Sequence, residues 1–309
     1  MNAFTIPGLL IGLLWAAAAG IGAGWVMRQG AQITYVTLAD GRRQTRRLPL
    51  SFRLLLPFAP NFFGWVRWPF FTRMRDDFQR RIVAAGYEGL VDGRELVALR
   101  LLMPIFGVLL LIPLHYALAA APGRMGAALQ AREGIFAVLA LAWMFVRPPM
   151  WLAGALRARH KEIELGLPFT LDLLTLSVEA GLDFMTAIKR IIDRRPIDAL
   201  NEELIRMFRE VQLGKTRREA LRDMAERVNQ PDLRTVTHSL IQADELGVSI
   251  GAILRIQSDQ MRTRRFLNAE KAANEAPVKM LAPLIGFIFP AVFLVLLGPV
   301  ILQAMRVGL

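Results

Sequence analysis

The strongest constraint on this chain is its passage from charged to wholly apolar sequence between residues 244 and 305. After the turn-forming run DELGVS, residues 250–279 are polar and charged with helical spacing, and residues 280–305, MLAPLIGFIFPAVFLVLLGPVILQAM, contain no charged side chain. About 20 apolar residues suffice to cross a bilayer core. Any fold must therefore let one helix leave water and enter a membrane. Unbroken from Ser249, that helix would be on the order of 80 Å long. Pro277, Pro283, Pro290 and Pro299 predict kinks in it, because each removes a backbone donor.

The rest of the composition fits an integral membrane protein. Hydrophobic residues make up 54% of the 309, and the mean hydropathy of +0.37 is too high for an ordinary soluble chain. A net charge of +12 could point to nucleic acid. In a membrane protein, however, excess Arg marks loops retained on the cytoplasmic side, so no nucleic-acid partner is expected. The absence of Cys excludes disulfides, thiolate metal sites and cysteine nucleophiles. His115, His160 and His238 lie too far apart in sequence to form a metal-ligand pattern, and no cofactor is expected.

In chain order, residues 4–26 form a first predicted span. No Lys or Arg precedes Arg28, so this segment does not resemble a cleaved signal, and the N-terminus is expected outside with Arg28 in the cytoplasm. Residues 28–100 are Arg-rich and expected to be cytoplasmic or interfacial. Their middle, SFRLLLPFAPNFFGWVRWPFF, mixes aromatics, Pro and Arg in a way that suits the headgroup level. FTRMRDDFQRRIVAAGYEG reads as an amphipathic helix with Met74, Phe78, Ile82 and Val83 on one face and Gly86 as its stop; soluble packing and an interfacial position both remain open. Residues 101–156 are expected to form a membrane hairpin. Its first span is 101–122, PGRMGAALQARE is a short loop, and a third span begins at 134–146, with Arg147 snorkelling to an interface. His115 is read as a packing or helix-end residue, since no charged partner shares its segment.

Residues 157–279 turn polar, and their apolar residues fall into helical stripes. Leu167, Leu171, Leu174 and Val178 form one; Leu200, Leu204, Met207, Phe208 and Val211 a second; Leu221, Met224, Ala225 and Val228 a third; and Leu233, Val236 and Leu240 a fourth. Turn signals at Gly181, Gly214 and Gly247 recur 33 residues apart. Each Gly can end a helix in the left-handed conformation, and Asp183, Thr216 or Ser249, two residues on, can cap the next. Thr216 with Glu219 matches the capping box. Pro196 and Pro231, 35 residues apart, are expected to begin helices between these turns. The expected fold is all-α: about four transmembrane helices and a cytoplasmic bundle of six helices in three hairpins, the last continuing into the membrane as residues 280–305. The signatures of ankyrin or tetratricopeptide repeats are missing.

GKT at residues 214–216 is not a phosphate loop, because Arg209 stands where the pattern needs Gly and the preceding residues read as helix. Glu179, Asp183, Asp244 and Glu245 are read as serving helix ends and interfaces rather than as a catalytic set. Arg217, Arg218, Arg222 and Arg227 crowd one helix. They either face an acidic partner or form a solvated face balanced by Glu219, Asp223 and Glu226.

The segments LPFTLDLLTLSVEAGLDFMTAI, LGKTRREAL, QADELGVSIGAIL and APVKMLAPLIGFIFPAVFLVLLGP together resemble the F-domain platform proteins of type II secretion and type IV pili. Within that family the chain is most similar to the Tad pilus (TadC-like) branch. The resemblance covers residues 165–300 strongly; AAGYEG and the approach to the second span match more weakly. The relatives' glycine–acid signature appears here as Asp244, Glu245 and Gly247, with Asp in place of the first Gly. What the resemblance implies is a bacterial inner-membrane platform, without enzymatic activity, that couples a cytoplasmic assembly ATPase to pilin subunits. The larger relatives have two F-domains, so a related one-domain partner or a second copy is implied. Gly251, Ala252 and the last span offer close-packing surfaces for it. Both termini are then expected in the periplasm. The rival class, a transporter or channel subunit, should show charged residues and internal symmetry within its spans, and neither is evident.

Overall fold

The computed structural model describes residues 35–37, 43–46, 48–66, 68–119 and 124–306. The first apolar segment, residues 4–26, lies outside them. The regular elements among the described residues are helices apart from one short antiparallel pair, β1 (Tyr35–Thr37) and β2 (Arg43–Thr45), in which Val36 faces Gln44. This pair is an addition to the all-α expectation. The first helices are α1 (Leu50–Leu55), a 3-10 turn (Leu56–Phe62), α2 (Phe63–Val66), α3 (Pro69–Ala84) and α4 (Gly93–Ala119). Then come α5 (Arg124–Glu179), α6 (Phe184–Arg194), α7 (Ala199–Gln212), α8 (Arg217–Val228) and α9 (Pro231–Leu246). Finally α10 (Ile250–Pro283) passes through a π turn (Leu284–Ile288) into α11 (Phe289–Arg306).

Among the described residues, two stretches are long and apolar enough to cross a membrane, Gly134–Glu179 and Ile250–Gln303. The second is the helix expected from the sequence. Its prolines do not break it. Pro290 cannot donate to the residue four earlier, and the chain widens just before it, where Phe289 N–H donates to Leu284 O, five residues back.

The helix α5 differs from expectation. PGRMGAALQARE has the composition of a loop, yet residues from Arg124 onward are helical, because MGAALQAR consists mostly of good helix formers. The same helix runs on through Pro148, Pro149 and Pro168 to Glu179, about 84 Å at 1.5 Å per residue. It therefore spans the boundary at residues 156 and 157, where a membrane hairpin was expected to give way to a separate polar module.

Two apolar cores form around α5. The first collects Leu167, Leu171 and Leu174 of α5, Ile188 of α6, Leu200, Leu204 and Met207 of α7, Leu221, Met224 and Val228 of α8, Leu233, Val236 and Leu240 of α9, and Leu254 of α10. The helical stripes are its walls. The second core lies lower on α5 and holds Phe52, Leu55, Leu56, Ala59, Phe78, Ile82, Leu96, Leu99 and Leu152. Trp151 closes it, edge-on to Phe52 at 4.8 Å and to Tyr87 at 5.0 Å. Part of the aromatic stretch expected at the headgroup level is thus core, since Phe52 and Leu56 are buried. On α3, Phe78 and Ile82 pack inward, and Gly86 (φ +73°) ends the helix.

The long helices α5 and α10 pack antiparallel. Arg255 donates to Glu179, Arg262 to Asp172, and Arg265 to the carbonyls of Glu164 and Leu165. Both helices therefore carry their apolar halves toward the same end of the molecule.

Candidate functional site: a tip of three turns and a buried ionic joint

The three glycine turns are built alike. Gly181, Gly214 and Gly247 have φ of +87°, +105° and +68°, where a side chain would be strained. In each, the residue after Gly donates its N–H five residues back: Leu182 to Ser177, Lys215 to Glu210 and Val248 to Ala243. These are Schellman stops. The restarts differ. Asp183 accepts from Met185 N–H, whereas Thr216 and Glu219 form the full capping box. Ser249 makes no side-chain cap. The Glu219 carboxyl is held below the ordinary range chiefly by the Thr216 backbone N–H, with the Thr216 hydroxyl adding to it.

These turns meet at one end. Arg217 approaches Asp183 at 3.8 Å and Asp244 at 3.7 Å, while Arg218 lies 3.1 Å from Asp244 and 4.0 Å from Glu245. Residues from all three turns thus share one loose cluster of charge. Glu179 pairs with Arg255 at 2.8 Å and, with Val178, Ser249, Gly251 and Ala252, lines a cleft of about 320 Å³. Beside the charges, Leu213 and Leu246 stand 85% and 77% exposed. Aliphatic side chains among weakly paired charges make a surface suited to protein contact. Gly251 is itself buried, facing Val178 and Glu179 within the same chain. Ala252 is exposed.

The proline turns lie at the other end of this module. Pro231 occupies the first turn of α9, and Gln230 caps that helix. Pro196 sits two residues ahead of the cap of α7, which is Asp198 accepting from Asn201 N–H at 2.7 Å. His160 and Glu162 on α5 bond to Val228 O and Ala199 N–H there.

A second cluster was not anticipated from the sequence. Arg159 of α5 donates to Glu202 at 2.6 Å and to Glu203 at 2.9 Å, and all three are buried. Arg46, just after β2, reaches the same Glu202 carboxylate at 2.6 Å. Arg227 bonds to Glu203 at 2.9 Å and Glu210 at 3.0 Å. Arg206 extends the chain of charges to Glu88 at 2.6 Å. This network ties the N-terminal core to the helical module. The cations also act on Tyr87, over whose ring Arg46 lies at 5.4 Å. Burial raises the Tyr87 pKa, opposed by Arg46 and Arg159.

Of the four arginines grouped on one helix, Arg218 and Arg222 are exposed and Arg217 is half-exposed at the tip, whereas Arg227 turns inward to the joint. Sequence spacing gave no sign of that split. Among the described residues no group of His, Asp and Glu could hold a metal.

No curated protein and no solved structure matches the chain. A family model does: residues 170–298, from the last turns of α5 through most of α11, carry a domain matching the type II secretion system (T2SS) protein F.

Proposed function

We propose that this chain is an inner-membrane platform protein of a Tad or type IV-like pilus, or of a type II secretion machine. In that role it couples a cytoplasmic assembly ATPase to the insertion of pilin subunits into the membrane or their extraction from it. The reading has four spans, both termini in the periplasm and a cytoplasmic bundle of six helices in three hairpins. The matched family is one of inner-membrane proteins related to type II secretion and type IV pili, which supports the setting.

The observation that carries the reading is the continuity of α5 and α10 from the tip cluster to the apolar segments. From Ile250 to Lys279, α10 runs on the order of 45 Å before its last charge. Both helices share one packed core, so a load on the tip would reach the membrane segments through it. The face at Arg217, Arg218 and Arg222, with Leu213 and Leu246, is the surface offered to the ATPase. A related one-domain platform protein or a second copy has an apolar stripe to cover on α5, where Leu165, Phe169 and Leu176 are more than half exposed.

Reporter fusions at Ala31, Gly126, Asp223 and the C-terminus, run beside co-purification of a cytoplasmic ATPase, test this. Expected are cytoplasmic signals at Ala31 and Asp223, exterior signals at Gly126 and the C-terminus, and a bound ATPase. An exterior signal at Asp223 would overturn both the topology and the mechanism.

A further inference from the structure

We infer that the corner Trp68–Phe71 is a membrane-surface anchor whose aromatic rings enter the headgroup layer beside the spans; this rests on the spanning reading above. Trp68 and Phe70 are 70% and 78% exposed, although the same helix buries Phe78 and Ile82 two to three turns later. Phe71, half-buried, packs on the second core and meets Phe70 edge to face at 5.4 Å. One end of α3 is thus held by protein, and the other presents bare aromatic surface.

Contacts along α3 fix the depth of that end. Gln79 accepts from Gly93 N–H at 2.7 Å, and Arg100 Nη1 lies 3.5 Å from the Met74 sulfur, so α3 runs antiparallel to α4. The Arg100 guanidinium sits over the Phe145 ring of α5 at 4.2 Å, and Arg147 sits over Trp143 at 4.7 Å. These arginines mark a cationic level with apolar surface beyond it: Ile105, Phe106 and Val108 on α4 and residues 134–146 on α5.

From Met74, the start of α3 points toward that apolar side. Phe70 and Trp68 lie about 6 and 9 Å past the arginine level, at 1.5 Å per residue. That matches the depth of roughly 5–10 Å to which interfacial helices bury their apolar face. Trp is a favoured residue there because it joins a large apolar ring to a polar N–H. Exposed Arg73, three residues after Phe70 on the same face, falls at the arginine level, where it can meet anionic lipid phosphates. The occupant is therefore a lipid surface, continuous with the bilayer that α4 and α5 enter.

The chain has no native Cys, so single-site labelling needs no background removal. The full chain with Phe70→Cys, carrying a nitroxide, is reconstituted in vesicles of phosphatidylethanolamine and phosphatidylglycerol. Collisions with oxygen and with a water-soluble nickel chelate are then compared with those at Leu213→Cys, Phe136→Cys and Phe293→Cys. The expected result at position 70 is nickel collision several-fold lower than at position 213, with high oxygen collision. Nickel access equal to that at position 213, while positions 136 and 293 remain shielded, overturns the anchor alone. Low collision with both probes also overturns it, because protein then covers the corner. Free nickel access at 136 and 293 as well would sink the spanning reading and the anchor with it.

Discussion

The two charge clusters use the same residue types to opposite ends. At the joint, Arg159, Glu202 and Glu203 are buried and bonded at 2.6 to 2.9 Å. At the tip, Arg217 and Arg218 approach Asp183, Asp244 and Glu245 at 3.1 to 4.0 Å with most of these side chains wet. Burial raises the stakes of the first cluster, since a charge left without its partner there cannot recover its hydration. In the second, water and salt screen each pair, so rearrangement costs little. A joint needs fixed partners, and a docking surface needs charges free to change theirs.

The sharpest way to break this contrast is to remove the shared cation. Arg159→Met removes the cation that Glu202 and Glu203 share, leaving Arg46 on the one and Arg227 on the other, and is expected to cost about 3 kcal/mol, the low end for a broken buried pair. Thermal unfolding of the full chain in detergent measures it, and a loss below about 1 kcal/mol would contradict a buried network. Gly86→Ala should act next most strongly. A Cβ there would lie 2.4 Å from Arg159 Nη1. An arginine end elsewhere would swing aside, but this one is pinned by two carboxylates. The left-handed φ adds roughly 1–2 kcal/mol for a non-glycine residue. An Arg159→Met background should therefore lessen the Gly86→Ala penalty, which a double-mutant cycle would read.

What the sequence disclosed follows the range of the interactions. The turns at Gly181, Gly214 and Gly247 and the capping box at Thr216 depend on neighbours within five residues, and their residue types were readable directly. The apolar stripes were readable because helical period is local. The joint was not. Glu202 closes the first turn of α7 and Glu203 follows it, where acids commonly serve the helix end. Their burial depends on Arg159, more than forty residues away. Arg227 carries the same charge as Arg218 on the same helix, and only the fold separates them. The continuity of α5 across residues 156 and 157 was not readable either, because the shift there from apolar to polar composition marks a change of surroundings, while the helix itself is held along its length by packing against α4, α6, α7 and α10.

Smaller effects sharpen the tip side of the comparison. Thr216→Ala removes one half of the capping box and is expected to cost about 1 kcal/mol. Since the Glu219 carboxyl sits below its ordinary range in the folded chain, the stability it contributes is present at neutral pH. It is lost as pH falls through that depressed value, so amide exchange at the start of α8 should quicken only on strong acidification.

The smallest stability change is expected from Arg217→Glu combined with Arg218→Glu. The lost pairs are partly exposed and mostly longer than 3.5 Å, so each contributes about 0–1 kcal/mol, and the new glutamates can turn toward water. The melting temperature should move less than for Thr216→Ala. Binding should respond in the opposite way, because the reversal replaces two cations of the proposed ATPase-facing surface with two anions. Co-purified ATPase should then drop well below the level recovered with Thr216→Ala. A reversed chain that retains its ATPase removes these arginines from the interface. One that unfolds as readily as Arg159→Met would mean that the fold depends on the tip charges no less than on those at the joint.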